Sequence, residues 1–173
     1  MYHFFRAPKG TSKNFFSKHK RSLRSSLAPG AVAILLAGVH KGKRVVVLKQ
    51  LDSGVVLITG PLKCNGCLLQ LVNQNYLLAT STSIDVSGVK VPENINDEYF
   101  RRAPKKSNNK EGDIFESKKE EYKPSEERKT DQQTVDKQVL EAIKKHPDGK
   151  MLKAYLRHTF GLDKGQYPHQ MTF

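Results

Sequence analysis

The chain has 173 residues, 37% hydrophobic and 27% charged, a length that holds one domain with extensions or two very small ones. Thirty Lys and Arg against seventeen Asp and Glu leave a net charge of +13 and a pI near 9.8, which implies a polyanionic partner, either nucleic acid or an anionic membrane surface. The longest unbroken apolar run, Ala31 to Ala37, falls well short of the ~20 residues that cross a bilayer, and the two cysteines imply no disulfide framework, so the expected setting is a reducing compartment without a transmembrane span.

Residues 1 to 30 carry seven basic side chains, Arg6, Lys9, Lys13, Lys18, Lys20, Arg21 and Arg24, with no acid and four phenylalanines, Phe4, Phe5, Phe15 and Phe16. Such a segment has too little apolar content for its own core. It reads as a basic arm whose Lys and Arg sit on RNA phosphates while Phe stacks on a base or plugs a protein pocket. A solubilising tail and a mitochondrial presequence share this composition, whereas a secretory signal is disfavoured because Arg6 and Pro8 interrupt the apolar start.

Ala31 to Ala37, Val45 to Leu51 and Val55 to Gly60 are short Val, Ile and Leu runs bounded by Gly or charge, and they predict three strands. Asp52-Ser53-Gly54 turns the second hairpin and Pro61 stops the third strand. Between the first two strands lies Gly38-Val39-His40-Lys41-Gly42-Lys43, a loop suited to facing phosphate, since glycine allows close approach and the neighbouring side chains are basic. Lys41-Gly42-Lys43-Arg44, running at once into Val45-Val46-Val47-Leu48, resembles the KOW motif of SH3-like barrels in ribosomal proteins and transcription elongation factors. The resemblance implies RNA contacts at Lys41, Gly42, Lys43 and Arg44. An ordinary solvated turn is the plainer alternative.

In Leu62-Lys63-Cys64-Asn65-Gly66-Cys67-Leu68, Asn-Gly between apolar flanks predicts a tight hairpin turn with the cysteines on either side of it. Half a zinc site or a redox pair are the competing readings. Zinc needs two more ligands, and the chain has no second Cys pair and no histidines at finger spacing, so no metal is expected and the cysteines should be dispensable for folding. Tyr76 to Thr80, Ile84 to Val86 and Val89 to Val91 are expected to supply the closing strands of the barrel. From Ala31 to Val91 the only aromatic residue is Tyr76, which argues against a peptide-binding groove or a methyl-lysine cage.

Asn96 to Phe100 predicts one helical turn, and Arg101 to Lys129 an extended charged segment in which Arg101, Arg102, Lys105 and Lys106 form a basic cluster, on RNA or simply solvated. Glu126 to Lys145 has helical composition with Val135, Val139 and Ile143 on one face. Asp148 is the expected N-cap of a second helix with Met151, Leu152, Tyr155, Leu156 and Phe160 on its apolar side and Gly161 as the stop. Together they form a helical hairpin too small to stand alone, which must dock on the barrel or on a neighbouring protein.

A wider set of strings is similar to the family of eukaryotic large-subunit ribosomal protein six. They include Ala28-Pro29-Gly30, Lys49-Gln50-Leu51, Thr59-Gly60-Pro61-Leu62, Ala79-Thr80-Ser81-Thr82, Ile84-Asp85, Tyr99-Phe100, Glu111-Gly112-Asp113-Ile114-Phe115, Arg128-Lys129-Thr130-Asp131-Gln132 and Tyr167-Pro168-His169 with Phe173. The resemblance implies a mainly β protein with an α extension: a basic N-terminal arm (1–30), a small SH3-like KOW barrel (31–92), a charged linker (93–125) and a C-terminal helical extension (126–173). It further implies a structural role in the cytosolic large ribosomal subunit, assembled in the nucleolus. The implied partners are ribosomal RNA, expansion segments included, and neighbouring ribosomal proteins, with no cofactor, membrane or small-molecule substrate. No Walker loop or recognisable nucleophile motif argues for an enzyme. A KOW-type factor of transcription or RNA processing, and a mitochondrial nucleic-acid-binding protein, are the alternatives.

Overall fold

The computed structural model describes residues 21–101 and 124–173. Lys9, Lys13, Lys18 and Lys20, together with Arg102, Lys105 and Lys106, lie outside the described residues.

Five strands, β1 Ala31–Leu35, β2 Arg44–Gln50, β3 Val56–Gly60, β4 Cys67–Val72 and β5 Leu77–Ser83, form one antiparallel sheet in the order β4-β3-β2-β1-β5. The first four make a meander. The fifth then crosses to the far edge and pairs with β1, after a 3-10 turn at Gln74–Tyr76 that the Asn73 side chain opens by accepting the Asn75 N–H at 3.0 Å. The ladders slip register between Ala31 and Ala33, between Val47 and Lys49, and between Ile58 and Gly60. Bulges of this kind bend a strand and increase its twist. The result is a barrel-like curl, in which Cys67 from one edge strand and Leu77 from the other meet in a single cluster.

Both faces of the central strands β1, β2 and β3 are buried. Ala33, Leu35, Val45, Val47, Val56 and Ile58 point into the curl, where Leu27, fully buried, closes the cluster. Their alternate neighbours Val32, Val46, Leu48 and Leu57 face the opposite way, into a second cluster with the helices. A strand buried on both sides has no polar face to expose, which is why these strands read as unbroken apolar runs rather than alternating ones.

The outer cluster is completed by α2 Glu126–Lys145 and α3 Gly149–Arg157; a short helical turn, α1 Leu62–Asn65, links β3 to β4. The long helix α2 has the predicted bounds. Ser125 Oγ accepts from the Arg128 N–H, acids occupy the first turn and Lys144 and Lys145 the last, each matching the helix dipole. Its Val135, Val139 and Ile143, with Leu152 and Leu156 of α3, are 0 to 5% exposed. Each such burial contributes about 1.5–3 kcal/mol, so the hairpin docks on the sheet through packing. Polar ties fix its register. Asp136, itself buried, accepts from Thr59 Oγ1 at 3.0 Å and from the Leu62 N–H at 2.8 Å, and Gln132 Oε1 accepts from the Leu69 N–H at 2.6 Å.

Several expectations are corrected. Asn65-Gly66 is not a two-residue hairpin turn: Asn65 ends α1, and Gly66, at φ 65°, is its left-handed cap, its N–H donating to Leu62 O at 3.1 Å. The strand predicted from Tyr76 to Thr80 is β5, but Ile84 to Val86 and Val89 to Val91 are not strands; Ile84 is buried, and Val86, Val89 and Val91 pack against the outer cluster from irregular backbone. Asn96 to Phe100 is a run of turns rather than a helical one. Asp148 occupies the N-cap of α3 without a side-chain bond, and the helix ends at Arg157, before Phe160 and Gly161. Met151, expected on the apolar side, is 75% exposed.

Candidate nucleic-acid interface

The loop between β1 and β2 is held by its own backbone. Lys41 N–H donates to Gly38 O at 3.2 Å, Gly42 N–H to Leu35 O at 2.7 Å and Lys43 N–H to His40 O at 3.1 Å. Val39, at its tip, is 95% exposed, and Lys41 is exposed beside it. Gly42 has φ +79°, and a Cβ there would lie 2.7 Å from Phe160 O. Its glycine is required by a close approach within the protein, since Phe160 N–H donates to Gly42 O at 2.7 Å.

Arg44 follows, and its guanidinium turns inward along the chain. Nη1 donates to His158 O at 2.6 Å and to Tyr155 O at 3.2 Å, and the group stacks 4.1 Å from the centroid of the Tyr155 ring. A cation that caps carbonyls at the end of α3 is favourably placed in the helix dipole. Arg44 therefore fastens the loop to the helical hairpin. Lys43 takes the other direction: its Nζ lies 3.8 Å from where a Cβ on Gly66 would sit, and its charge reaches Cys67. Partial burial, with Lys43 adding, holds His40 below the usual imidazole range, so neutral His40 leaves the loop's charge to its lysines.

The arginines of the N-terminal segment are placed differently from one another. Arg24 binds the turn before β5, donating from Nη2 to Leu77 O at 2.7 Å and to Gln74 O, and from its backbone to Gln74 Oε1 at 3.1 Å. The Arg21 side chain lies over Gly54. Arg101 is exposed.

Cys64 and Cys67 are free thiols, both buried. Burial raises Cys64 above its ordinary value against the opposing charges of Lys153 and Arg157, and raises Cys67 to about 11 against Lys43. They are core residues rather than turn-flanking ones, and their protonated state suits packing, not nucleophilic chemistry. Among the described residues no cluster of three or more His, Cys, Asp or Glu is arranged to hold a metal ion.

Those same influences locate a basic face that the sequence motifs do not announce. Lys150, Lys153 and Arg157 are exposed along α3, and with Ala154 and His158 they line a shallow trough of about 480 Å³. The charges of Lys153 and Arg157 reach Cys64 of α1, and that of Lys43 reaches Cys67 at the start of β4. None of Lys41, Lys43, Lys150, Lys153 and Arg157 forms an ion pair with a described residue. The signal was present: Lys150, Lys153 and Arg157 recur at helical spacing opposite Leu152 and Leu156, in a helix without an acid.

No helix among the described residues is long and apolar enough to cross a membrane. Residues 64–173 match the family described as ribosomal protein L6e. The chain is 56% identical over 154 residues to the large ribosomal subunit protein eL6 of Caenorhabditis elegans, covering 88% of this chain and 70% of that protein. It is 49% identical over 158 residues to eL6 of Dictyostelium discoideum, covering 90% of this chain and 66% of that one. To eL6 of Candida albicans it is 44% identical over 168 residues, covering 96% and 92%. With a family match over residues 64–173 and identity of this level over most of the chain, the chain belongs to the ribosomal protein L6e family.

Proposed function

We propose that this protein binds ribosomal RNA in the large subunit of the cytoplasmic ribosome by neutralising phosphates and fitting RNA shape, with the loop lysines Lys41 and Lys43 at the contact. Membership of the family makes it a structural constituent of that subunit rather than an enzyme. The observation that carries the finer reading is the braced loop: Lys41 and Lys43 have no acidic partner among the described residues, on a loop whose backbone is tied to β1 and, through Gly42, to Phe160. A rigid loop with unsatisfied cations loses little entropy on meeting a phosphate. The strand order, with the last strand returning beside the first after a 3-10 turn, supports the SH3-like KOW assignment.

In this reading Arg44 presents the loop while the lysines touch RNA. The basic arm, through Lys9, Lys13, Lys18, Lys20 and Arg21, and the cluster of Arg101, Arg102, Lys105 and Lys106, extend the contact to further phosphates, expansion segments included. Neighbouring ribosomal proteins complete the site, and assembly begins in the nucleolus. The test is a sucrose gradient of cell extract followed by crosslink mapping. A tagged chain should sediment with the large subunit and crosslink to its RNA through the loop. A tagged chain that stays at the top of the gradient, or crosslinks only through other segments, would refute the proposal.

A further inference from the structure

We propose that the outer face of α3 is a second phosphate-binding surface, taking the backbone of a double-stranded RNA segment; this rests on the RNA-binding role proposed above. The nine residues of α3 include Lys150, Lys153 and Arg157 and no acid. At a rise of 1.5 Å per residue these cations form a line roughly 10 Å long, on the scale of a short run of phosphates. Ala154 lies among them in the trough, and its small side chain leaves the backbone of a ligand free to come close.

The trough is built to read charge, not bases. Its lining contains no aromatic ring apart from the His158 imidazole, and Tyr155, the aromatic residue of α3, is stacked under Arg44. Single strands are held mainly by bases stacking on aromatic side chains, whereas A-form duplexes are recognised through shape and phosphate. An acidic protein segment would want apolar anchors beside the cations; the lining supplies only Ala154.

The geometry also sets where this surface sits. Arg44 joins the end of α3 to β2, and Phe160 joins the following residues to Gly42, so the α3 line and the loop lysines are held at fixed separation. One rigid duplex can then be met at two places, with the barrel supplying one contact and the helical hairpin the other.

The experiment uses the full chain and a labelled RNA duplex of about 16 base pairs, the span a shape-reading domain covers, with affinity followed as salt is raised. Replacing Lys150, Lys153 and Arg157 together by Gln should reduce the slope of log affinity against log salt by about 2 to 3, since each phosphate no longer neutralised takes about 0.9 from it. Lys41→Gln with Lys43→Gln should reduce it separately by about 2. A normal slope in the α3 variant beside a reduced one in the loop variant overturns this inference and leaves the loop reading standing; the converse overturns the loop reading alone. All substituted positions but Lys43 are exposed, and unchanged melting confirms that the variants fold. As a measurement without variants, amine acylation of the parent should slow at Lys150 and Lys153 when duplex is added, and equal labelling overturns the proposal. So does an α3 variant that keeps duplex affinity but loses affinity for polyglutamate, which would assign the face to an acidic protein.

Discussion

Arg44→Ala separates architecture from RNA contact. The guanidinium makes two bonds to carbonyls at the end of α3 and a stack on Tyr155. Hydrogen bonds from charged donors contribute about 1.5–3 kcal/mol when buried, and less here because the bond to His158 O is exposed. The stack adds about 0.5–1 kcal/mol and the helix terminus about 0.3–1 kcal/mol. Arg44 Nε offsets part of this, since it is buried with no partner among the described residues. The net loss on Arg44→Ala should be about 2–3 kcal/mol, a fall in melting temperature of about 5–10 °C for a chain of this size. Lys43→Ala, which breaks no bond to a described residue, should stay within about 0.5 kcal/mol of the parent. Arg44→Lys should fall between, keeping the charge but losing the planar fork and the stack. Urea unfolding followed by circular dichroism gives the stabilities. RNA titration then gives the complementary result: the salt slope should be unchanged in Arg44→Ala and reduced by about 0.9 in Lys43→Ala. Equal stability of the two alanine variants, or a reduced slope in Arg44→Ala, would refute the fastening role.

Leu156→Asp should abolish incorporation into large subunits, because it places an unpaired charge at a fully buried position, while Glu141→Lys on the exposed face should leave incorporation nearly intact; tagged variants quantified in the subunit peak decide it. Both thiols should resist iodoacetamide in the native state and react in urea, and Cys67→Ser should cost about 1–3 kcal/mol by burying a hydroxyl in an apolar cluster; fast native alkylation would put the cysteines outside the core. Tyr99 donates to Asp131 Oδ2 at 2.7 Å, and burial, with that bond, raises it from 10.0 to about 12. Its raised value means a contribution fully present below pH 10 and lost as pH rises through 12, so Tyr99→Phe should flatten that part of the stability profile relative to the parent.

The parts of the fold legible in the sequence were those where a single period governs a long stretch. The helix-forming composition of Glu126 to Lys145 set the bounds of α2 and the stripe of Val135, Val139 and Ile143 its packed face, and the runs from Ala31 to Gly60 set three strands. Legibility failed where one local signal serves two geometries. Asn65-Gly66 places a left-handed glycine in a hairpin turn or at the end of a helix, and the dipeptide alone does not choose between them; β4, over Cys67–Val72, is assigned no element of its own from the sequence. Ile84, Val86, Val89 and Val91 are apolar because they pack against the outer cluster, a demand of tertiary structure that needs no ladder. Within the candidate site, the loop was visible as Gly and Lys. Arg44 looks like a further phosphate ligand in sequence because its partners, Tyr155 and His158, are distant along the chain, and the Lys150, Lys153 and Arg157 line is overlooked because the apolar side of α3 says nothing of what the other side carries.

Central strands buried on both faces have a consequence for the order in which the protein is made. The inner face can close as soon as β5 has been synthesised, because every residue of that cluster lies between Leu23 and Ala79. The outer face, Val32, Val46, Leu48 and Leu57, is met in part by Ile84, Ile95 and their neighbours, but the rest of its cover, from Val135 to Leu156, leaves the ribosome much later. At about 5–20 residues per second the interval between Leu57 and Leu156 lasts on the order of 5 to 20 s. Throughout it the nascent chain displays an apolar sheet surface that its own helices have not yet covered, the kind of transient exposure that favours aggregation. The chain is thus most exposed to aggregation before it has finished emerging, a hazard set by the connectivity of the fold.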